Sequence, residues 1–394
     1  MGMPKETKSN RKLKPFLIGL VIIGSLYYVK IEAENFVKSS DSKEDTQITG
    51  ISNLLHINSP IEITEQDYLA SKNMYRFNQM DENQKQIYTE IYKGLSNMET
   101  SFIVSCKDRK EVEQLIDNVL SDHPDIFYFE GGQIVQDGQE LGYVEVQPEY
   151  TMTRDLRDGY QRQIDSVCAD FLRLIPDNAD DYTKVKTIYK LLISNVDYDL
   201  NAKQNQNIIS VFLNKATVCH GYASAMSYML NKVGIESTIV TGKTMDTGEN
   251  HAWNLVKEDG EYYFVDTTWG NSQFENSKGR KFVDYAFLNV TSDSLSKTHV
   301  IGEELPYCTC GDNNYFRREK LYFDDVEESL VLTNYLQKSG DFISVQYGDR
   351  ETLKHAITFF FDAQQLCNYI DFRGNVQITY VPDYDYNILT VFRD

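Results

Sequence analysis

The sequence predicts an α+β protein in which a central block, helices packed on an antiparallel sheet, is flanked by two smaller αβαββ units. Three observations predict it. One pattern of apolar spacing occurs twice, around residues 102–120 and again around 341–361. Between these stretches, amphipathic helices precede a two-stranded hairpin pattern. The 394 residues, 41% of them hydrophobic, are enough for two or three cores at roughly 100 to 200 residues per domain.

Composition narrows the class. Aromatic residues at 12% and charged residues at 25% form a globular balance. The mean hydropathy of -0.46 excludes a multi-span membrane protein. The net charge of -20 would repel a phosphate backbone, so no nucleic-acid partner is expected. That charge is unevenly placed: Lys5, Lys8, Arg11, Lys12 and Lys14 against Glu6 give residues 1–15 a net +4, leaving -24 for the remainder.

Phe16 to Val29 is an uncharged run of 14 residues between this basic stretch and Lys30. The layout is that of an export signal or signal anchor. Fourteen helical residues reach only about 21 Å, short of the roughly 30 Å hydrocarbon core, although Tyr27, Tyr28 and Lys30 suit the interface. Ala33 with Ile31 is a weak cleavage site. The expectation is a basic cytoplasmic tail (1–15), an uncleaved single-pass segment (16–30) and a polar linker (31–65), with the body outside the membrane. Secretion after cleavage is the alternative.

The first flanking unit (66–158) runs helix, strand, helix, strand, strand. Asp108 and Arg109 open its second helix, with Val112, Leu115, Ile116, Val119 and Leu120 on one face. In the C-terminal unit (311–394), Asp349 and Arg350 are followed at the same offsets by Leu353, Ala356, Ile357, Phe360 and Phe361. A duplicated design predicts one strand order for both units, and each reads as a shaping or binding module.

The central block (159–310) carries the chemistry. Its opening helices present Ile164, Cys168, Phe171 and Leu172, then Val185, Ile188, Leu192 and Val196, at helical spacing. In TVCHGYASAMSYMLNKVG, Cys219 falls at the first turn of a helix that Gly234 ends. A helix N-terminus presents unpaired N–H groups and partial positive charge, which favour a thiolate and can hold an oxyanion. The strands HAWNLV (251–256) and EYYFVD (261–266) follow. Closed on a four-residue loop, they set His251 opposite Asp266; with a turn tightened to Asp259-Gly260, the two become diagonal neighbours on one face. Either way an imidazole meets an orienting carboxylate.

VCHGYASAMSYMLNKVGIESTIVTG, HAWNLV and YYFVDTTWG together resemble the transglutaminase-like superfamily, in particular its bacterial extracytoplasmic members. The resemblance covers roughly residues 180 to 300, with spacings of 32 and 15 between Cys219, His251 and Asp266. It implies a papain-like core with Cys219 as nucleophile, His251 as general base and then acid, and Asp266 as orienting carboxylate. Family members often supply an oxyanion-hole side chain from before the Cys, and Tyr198 in NVDYDL is the candidate here. His220, Trp253 and Trp269 complete the cleft candidates. His220 adjoins the Cys but faces elsewhere on a helix, and the two Trp residues suit a core or cleft wall.

His299, in KTHVIG, either lines the cleft or packs, with packing the expectation. Cys308-x-Cys310 is half a metal-ligand set without a second half, so neither metal nor cofactor is expected. The chain therefore reads as a membrane-anchored, extracytoplasmic cysteine enzyme. It attacks an amide carbonyl in a protein or cell-wall peptide through a thioester, with hydrolysis favoured. Transamidation or a non-catalytic binding role on the same fold are the alternatives, and the oligomeric state stays open.

Overall fold

A computed structural model describes residues 59–135, 143–271, 282–338, 341–369 and 377–393. The basic tail, the uncharged segment and most of the linker lie outside these residues. Among the described residues no helix is long and apolar enough to cross a membrane. Contacts group the described chain into two compact units, one of residues 59–167 with 236–238, the other of 168–235 and 239–393.

In the first unit, Asp81 caps helix α1 (Glu82–Ser96) by accepting from the Gln84 amide, and Asp108 caps α2 (Arg109–Asp122) through the Lys110 amide. Strands β1 (Phe102–Val104), β2 (Phe129–Val135) and β3 (Val144–Tyr150) form an antiparallel sheet in the order β1-β3-β2. Val112, Leu115, Ile116 and Val119 are buried as the spacing predicts, and Leu120 is half-buried. The sequence did not announce the buried polar centre of this unit. Asp122 accepts from the amides of Arg76 and Phe77 and from the Tyr88 hydroxyl, capping the short helix Tyr75–Asn78.

Helix α3 (Arg154–Leu172) leads into the second unit, which opens with α4 (Asp181–Asn195), capped by Asp180. Strand β4 (Asp197–Tyr198) pairs in parallel with β5 (Ala216–Thr217), and α5 (Cys219–Lys232) follows at once. Gly234, at φ +80°, ends it in the left-handed region that glycine tolerates. A four-stranded sheet comes next, in the order β8 (Glu261–Val265), β7 (Asn250–Glu258), β6 (Ser237–Thr244), β9 (His299–Ile301).

The C-terminal block places β10 (Tyr322–Phe323), α6 (Val331–Gln337), β11 (Phe342–Tyr347), α7 (Arg350–Ile357), β12 (Ile378–Asp383) and β13 (Ile388–Arg393) in sequence. Its sheet runs β10-β11-β13-β12, so the first, second and third strands of the αβαββ plan take the places they have in the first unit. The pairings of β11 and β12 with β13 are antiparallel, as are those of β1 and β2 with β3. Asp349 caps α7 as Asp108 caps α2. The expected boundary at 310/311 falls inside the second unit. Trp269, Ala286 and Phe287 share one apolar cluster with Phe316, Tyr386 and Ile388, which joins the block to the segments that follow β8.

Candidate active site

Three local features bring the chemistry together. The first is the start of α5. Val218 stands at the N-cap and makes no side-chain cap, so the first-turn amides keep no competing oxygen from that position. Cys219, the first helical residue, is 5% exposed and packs with Ala223, Ile239 and Ala252. Gly221 permits the close approach of this turn, because a Cβ there would lie 1.9 Å from Thr217 Oγ1.

The second feature is the hairpin. Strands β7 and β8 pair Asn254 with Val265 and Glu258 with Glu261, closing on Asp259 and Gly260 at φ 52° and 90°. Positive φ at both central residues is the tight turn whose twist suits a hairpin. The ladder therefore runs on past the four-residue loop, and His251 and Asp266 are diagonal neighbours rather than directly opposed. The strand also stops one residue early: Asp266 is the N-cap of the short helix Thr267–Gly270, and its Oδ1 accepts from the Thr268 and Trp269 amides at 2.8 and 3.0 Å. These bonds leave Oδ2 aimed at His251 Nε2, 2.7 Å away.

The third is the seam between helix and sheet. Asn254 Nδ2 donates to the Ala223 carbonyl and to Ser227 Oγ, both at 2.9 Å. The strand of His251 is thereby fixed on the helix of Cys219, and the Cys219 side chain is a hydrogen-bond partner of His251.

Electrostatics follow from this burial. Desolvation opposes charge on His251, but the Asp266 carboxylate and its hydrogen bond outweigh it and push the imidazole up to about 10. Desolvation likewise opposes charge on Asp266, and His251 with His299 overcomes it, holding the carboxyl well below its ordinary range. The favoured state is an imidazolium between a carboxylate and a sulfur.

The other sequence candidates divide. Tyr198, half-buried, pairs with Thr217 two residues before Cys219, and burial with the nearby Cys219 raises its hydroxyl's pKa. His220 turns away: Nδ1 lies 2.7 Å from the Gln206 carbonyl, and burial lowers its pKa. Trp253 and Trp269 are both buried, with ring centroids 5.8 and 6.0 Å from that of His251, and wall the histidine. Cys310 accepts from the Tyr263 hydroxyl.

Two partners escaped the sequence reading. Asn254 is one. The other is His299, which does not merely pack: its Nε2 lies 3.0 Å from Asp266 Oδ2. The ligand atoms of His251, Asp266 and His299 lie within 4.8 Å of one another, the one such threesome among the described residues able to converge on a cation. Both imidazoles address a single carboxylate oxygen that hydrogen bonding already uses.

Residues 172–267 match the family model described as transglutaminase-like superfamily. Kyphoscoliosis peptidase of Mus musculus is 24% identical over 138 residues, covering 31% of this chain and 21% of that protein. The Homo sapiens protein of that name is 25% identical over 123 residues, covering 27% and 18%. The chain thus spans about a fifth of the length of these curated relatives. Among solved structures, a TGase is similar at 14% identity and TM-score 0.27, over 38% of this chain and 47% of that one. The periplasmic domain of TgpA from Pseudomonas aeruginosa is similar at 18% identity and TM-score 0.21, over 32% and 53%.

Proposed function

We propose that this chain, whose central block is a transglutaminase-like domain, is a thiol-dependent hydrolase of amide bonds in a protein or cell-wall peptide. One observation carries the reading: a cysteine at an uncapped helix start, an imidazole on the neighbouring strand and a doubly anchored carboxylate form one buried hydrogen-bonded line.

In this mechanism the Cys219 sulfur attacks the carbonyl carbon and the C=O electrons move to oxygen. The first-turn amide of Cys219 and the Tyr198 hydroxyl receive that oxyanion. Collapse breaks the C–N bond, and the His251 imidazolium gives its proton to the leaving amine, which departs and leaves a thioester. His251, now neutral, takes a proton from water as the water attacks the thioester. Collapse of this second adduct breaks the C–S bond, the acid leaves, and the proton taken by His251 stays with the pair it forms with the released Cys219 sulfur. Asp266 holds the ring throughout and does not itself exchange a proton.

Hydrolysis is preferred to transamidation because the curated relatives are named peptidases. The +4 tail before an uncharged run supports a single-pass anchor with the acidic body outside the membrane. The test is to incubate the full chain with a peptide library and a fluorescent primary amine, and to analyse products by mass spectrometry. New peptide termini that vanish in Cys219→Ala support the hydrolase. Amine incorporation would instead make it a transamidase, and neither product, with peptides retained, would make it a binding protein. Protease shaving of intact cells tests the topology, since an external body would be digested.

A further inference from the structure

Asp266 carries more partners than orienting one histidine requires. Oδ1 is already fixed by two backbone amides, yet Oδ2 is addressed by both His251 and His299. The His299 ring is 2% exposed and lies between the two tryptophans, with centroids 4.9 Å from Trp253 and 4.7 Å from Trp269. On its far side, Nδ1 lies 2.8 Å from Thr298 Oγ1, which lies 2.7 Å from the Tyr386 hydroxyl. Tyr386 belongs to the turn between β12 and β13, so the C-terminal block reaches the catalytic carboxylate through two side chains.

Burial and the neighbouring His251 lower the His299 pKa, overcoming Asp266, and keep the ring neutral. A neutral ring that donates Nε2–H to Asp266 must accept at Nδ1. The Thr298 hydroxyl is then the donor facing Nδ1, and the Leu295 carbonyl at 3.3 Å competes for its hydrogen, as the Ser294 carbonyl at 3.2 Å competes for that of Tyr386.

We propose that His299 is a positioning residue that acts through Asp266. By donating to the oxygen that pairs with His251, it limits how strongly the carboxylate holds the imidazolium, while Thr298 and Tyr386 hold the far side of its ring. The proposal rests on reading the site as a cysteine hydrolase, where His251 must surrender its proton to the leaving amine. A second donor on one carboxylate oxygen shares its negative charge and weakens its pull on the first. The groups facing His251 are Asp266, Cys219 and His299, with Tyr198 and Glu249 at the border of the site. Those facing His299 are Asp266, His251, the Thr298 and Tyr386 hydroxyls and the Leu295 carbonyl.

The test is an NMR titration of the full chain with isotope-labelled histidine, of which the sequence has six. In His299→Leu the His251 midpoint should rise by about one pH unit, a tenfold change in its protonation equilibrium. Tyr386→Phe should shift it the same way by less. His299→Gln, which keeps an N–H at the place of Nε2, should return it close to wild type. The kcat of His299→Leu should fall near pH 7 with KM little changed, because proton delivery is weakened rather than binding. An unmoved or lowered midpoint in folded His299→Leu overturns the proposal. If that variant does not fold, a Tyr386→Phe midpoint equal to wild type overturns it as well. The titration needs no turnover, so a chain that shifts as expected yet cleaves nothing would refute the hydrolase reading and leave the coupling standing.

Discussion

Asn254 donates to the Ala223 carbonyl at 2.9 Å, and that bond joins the strand of the imidazole to the helix of the nucleophile. Its second bond, to Ser227 Oγ, lies one helical turn further along. Replacing Asn254 with Ala removes both donors from a fully buried seam. The expected cost is about 2 kcal/mol of stability. Because the Cys–His separation depends on this seam, kcat should fall more than KM rises. Denaturant unfolding and steady-state kinetics check the two parts, and full activity with lowered stability would restrict Asn254 to packing.

Gly221 gives a second prediction. A methyl group there meets Thr217 Oγ1 at 1.9 Å and the Asn205 carbonyl at 3.0 Å, so the turn carrying Cys219 must shift in Gly221→Ala. The thiol should alkylate at least about tenfold more slowly, since small misplacements at a reacting centre cost up to about 100-fold. Double substitution with Thr217→Ser, which still carries Oγ, should not restore the rate, whereas Thr217→Ala should restore part of it.

The triad itself sets the scale. Asp266→Asn keeps much of the shape but cannot hold an imidazolium, and should lower kcat by at least about 10³-fold. His251→Ala should lower it at least as far. Combining the two should cost little more than the worse single change, because these groups act as a unit. Additive losses in the double variant would mean that they act separately.

Glu258 predicts how stability varies with pH. It is fully buried, accepts from Asn289 Nδ2 at 2.9 Å, and burial pushes it up to about 8 from 4.5. A carboxyl raised on folding contributes fully below its unfolded pKa of about 4.5 and loses that contribution as pH climbs through about 8. His251, raised from 6.5 to about 10, has the same sign over a higher window. His220 and His299, lowered by burial, act in the opposite sense only below about pH 6.5, so Tm should fall from about pH 6.5 toward pH 9. Glu258→Gln should flatten the fall between 4.5 and 8, removing about 4 kcal/mol of pH-dependent loss by pH 8. A wild-type Tm that rises across this range contradicts the assignment.

Much of the site is legible in sequence because its parts are local. A cysteine before an amphipathic helix and a hairpin of fixed parity already place Cys219, His251 and Asp266, and parity survives the change of loop length. The repeated Asp-Arg helix pattern likewise foretells the common strand order of the two flanking units. His299 stands apart because 33 residues separate it from Asp266, and only the pairing of Thr244 with His299 across β6 and β9 brings it back. Tyr386 is more remote still, coming from a block that carries no chemical motif. Asn254 sat in plain view in HAWNLV, but its partners lie on another element, and no local pattern marks a polar residue as an inter-element clasp.

The central claim, that His251 and Asp266 activate Cys219, is tested most directly by competition between two thiols of one molecule. Cys219 is 5% exposed and Cys310 is half-buried, so access alone would make Cys310 the faster to react. The measurement is the rate of iodoacetamide labelling at each cysteine of the full chain at pH 6, located by mass spectrometry. The account predicts that Cys219 labels first, at least about tenfold faster than free cysteine, and that the advantage disappears in His251→Ala. Labelling of Cys310 ahead of Cys219, or a Cys219 rate unchanged by His251→Ala, would contradict it.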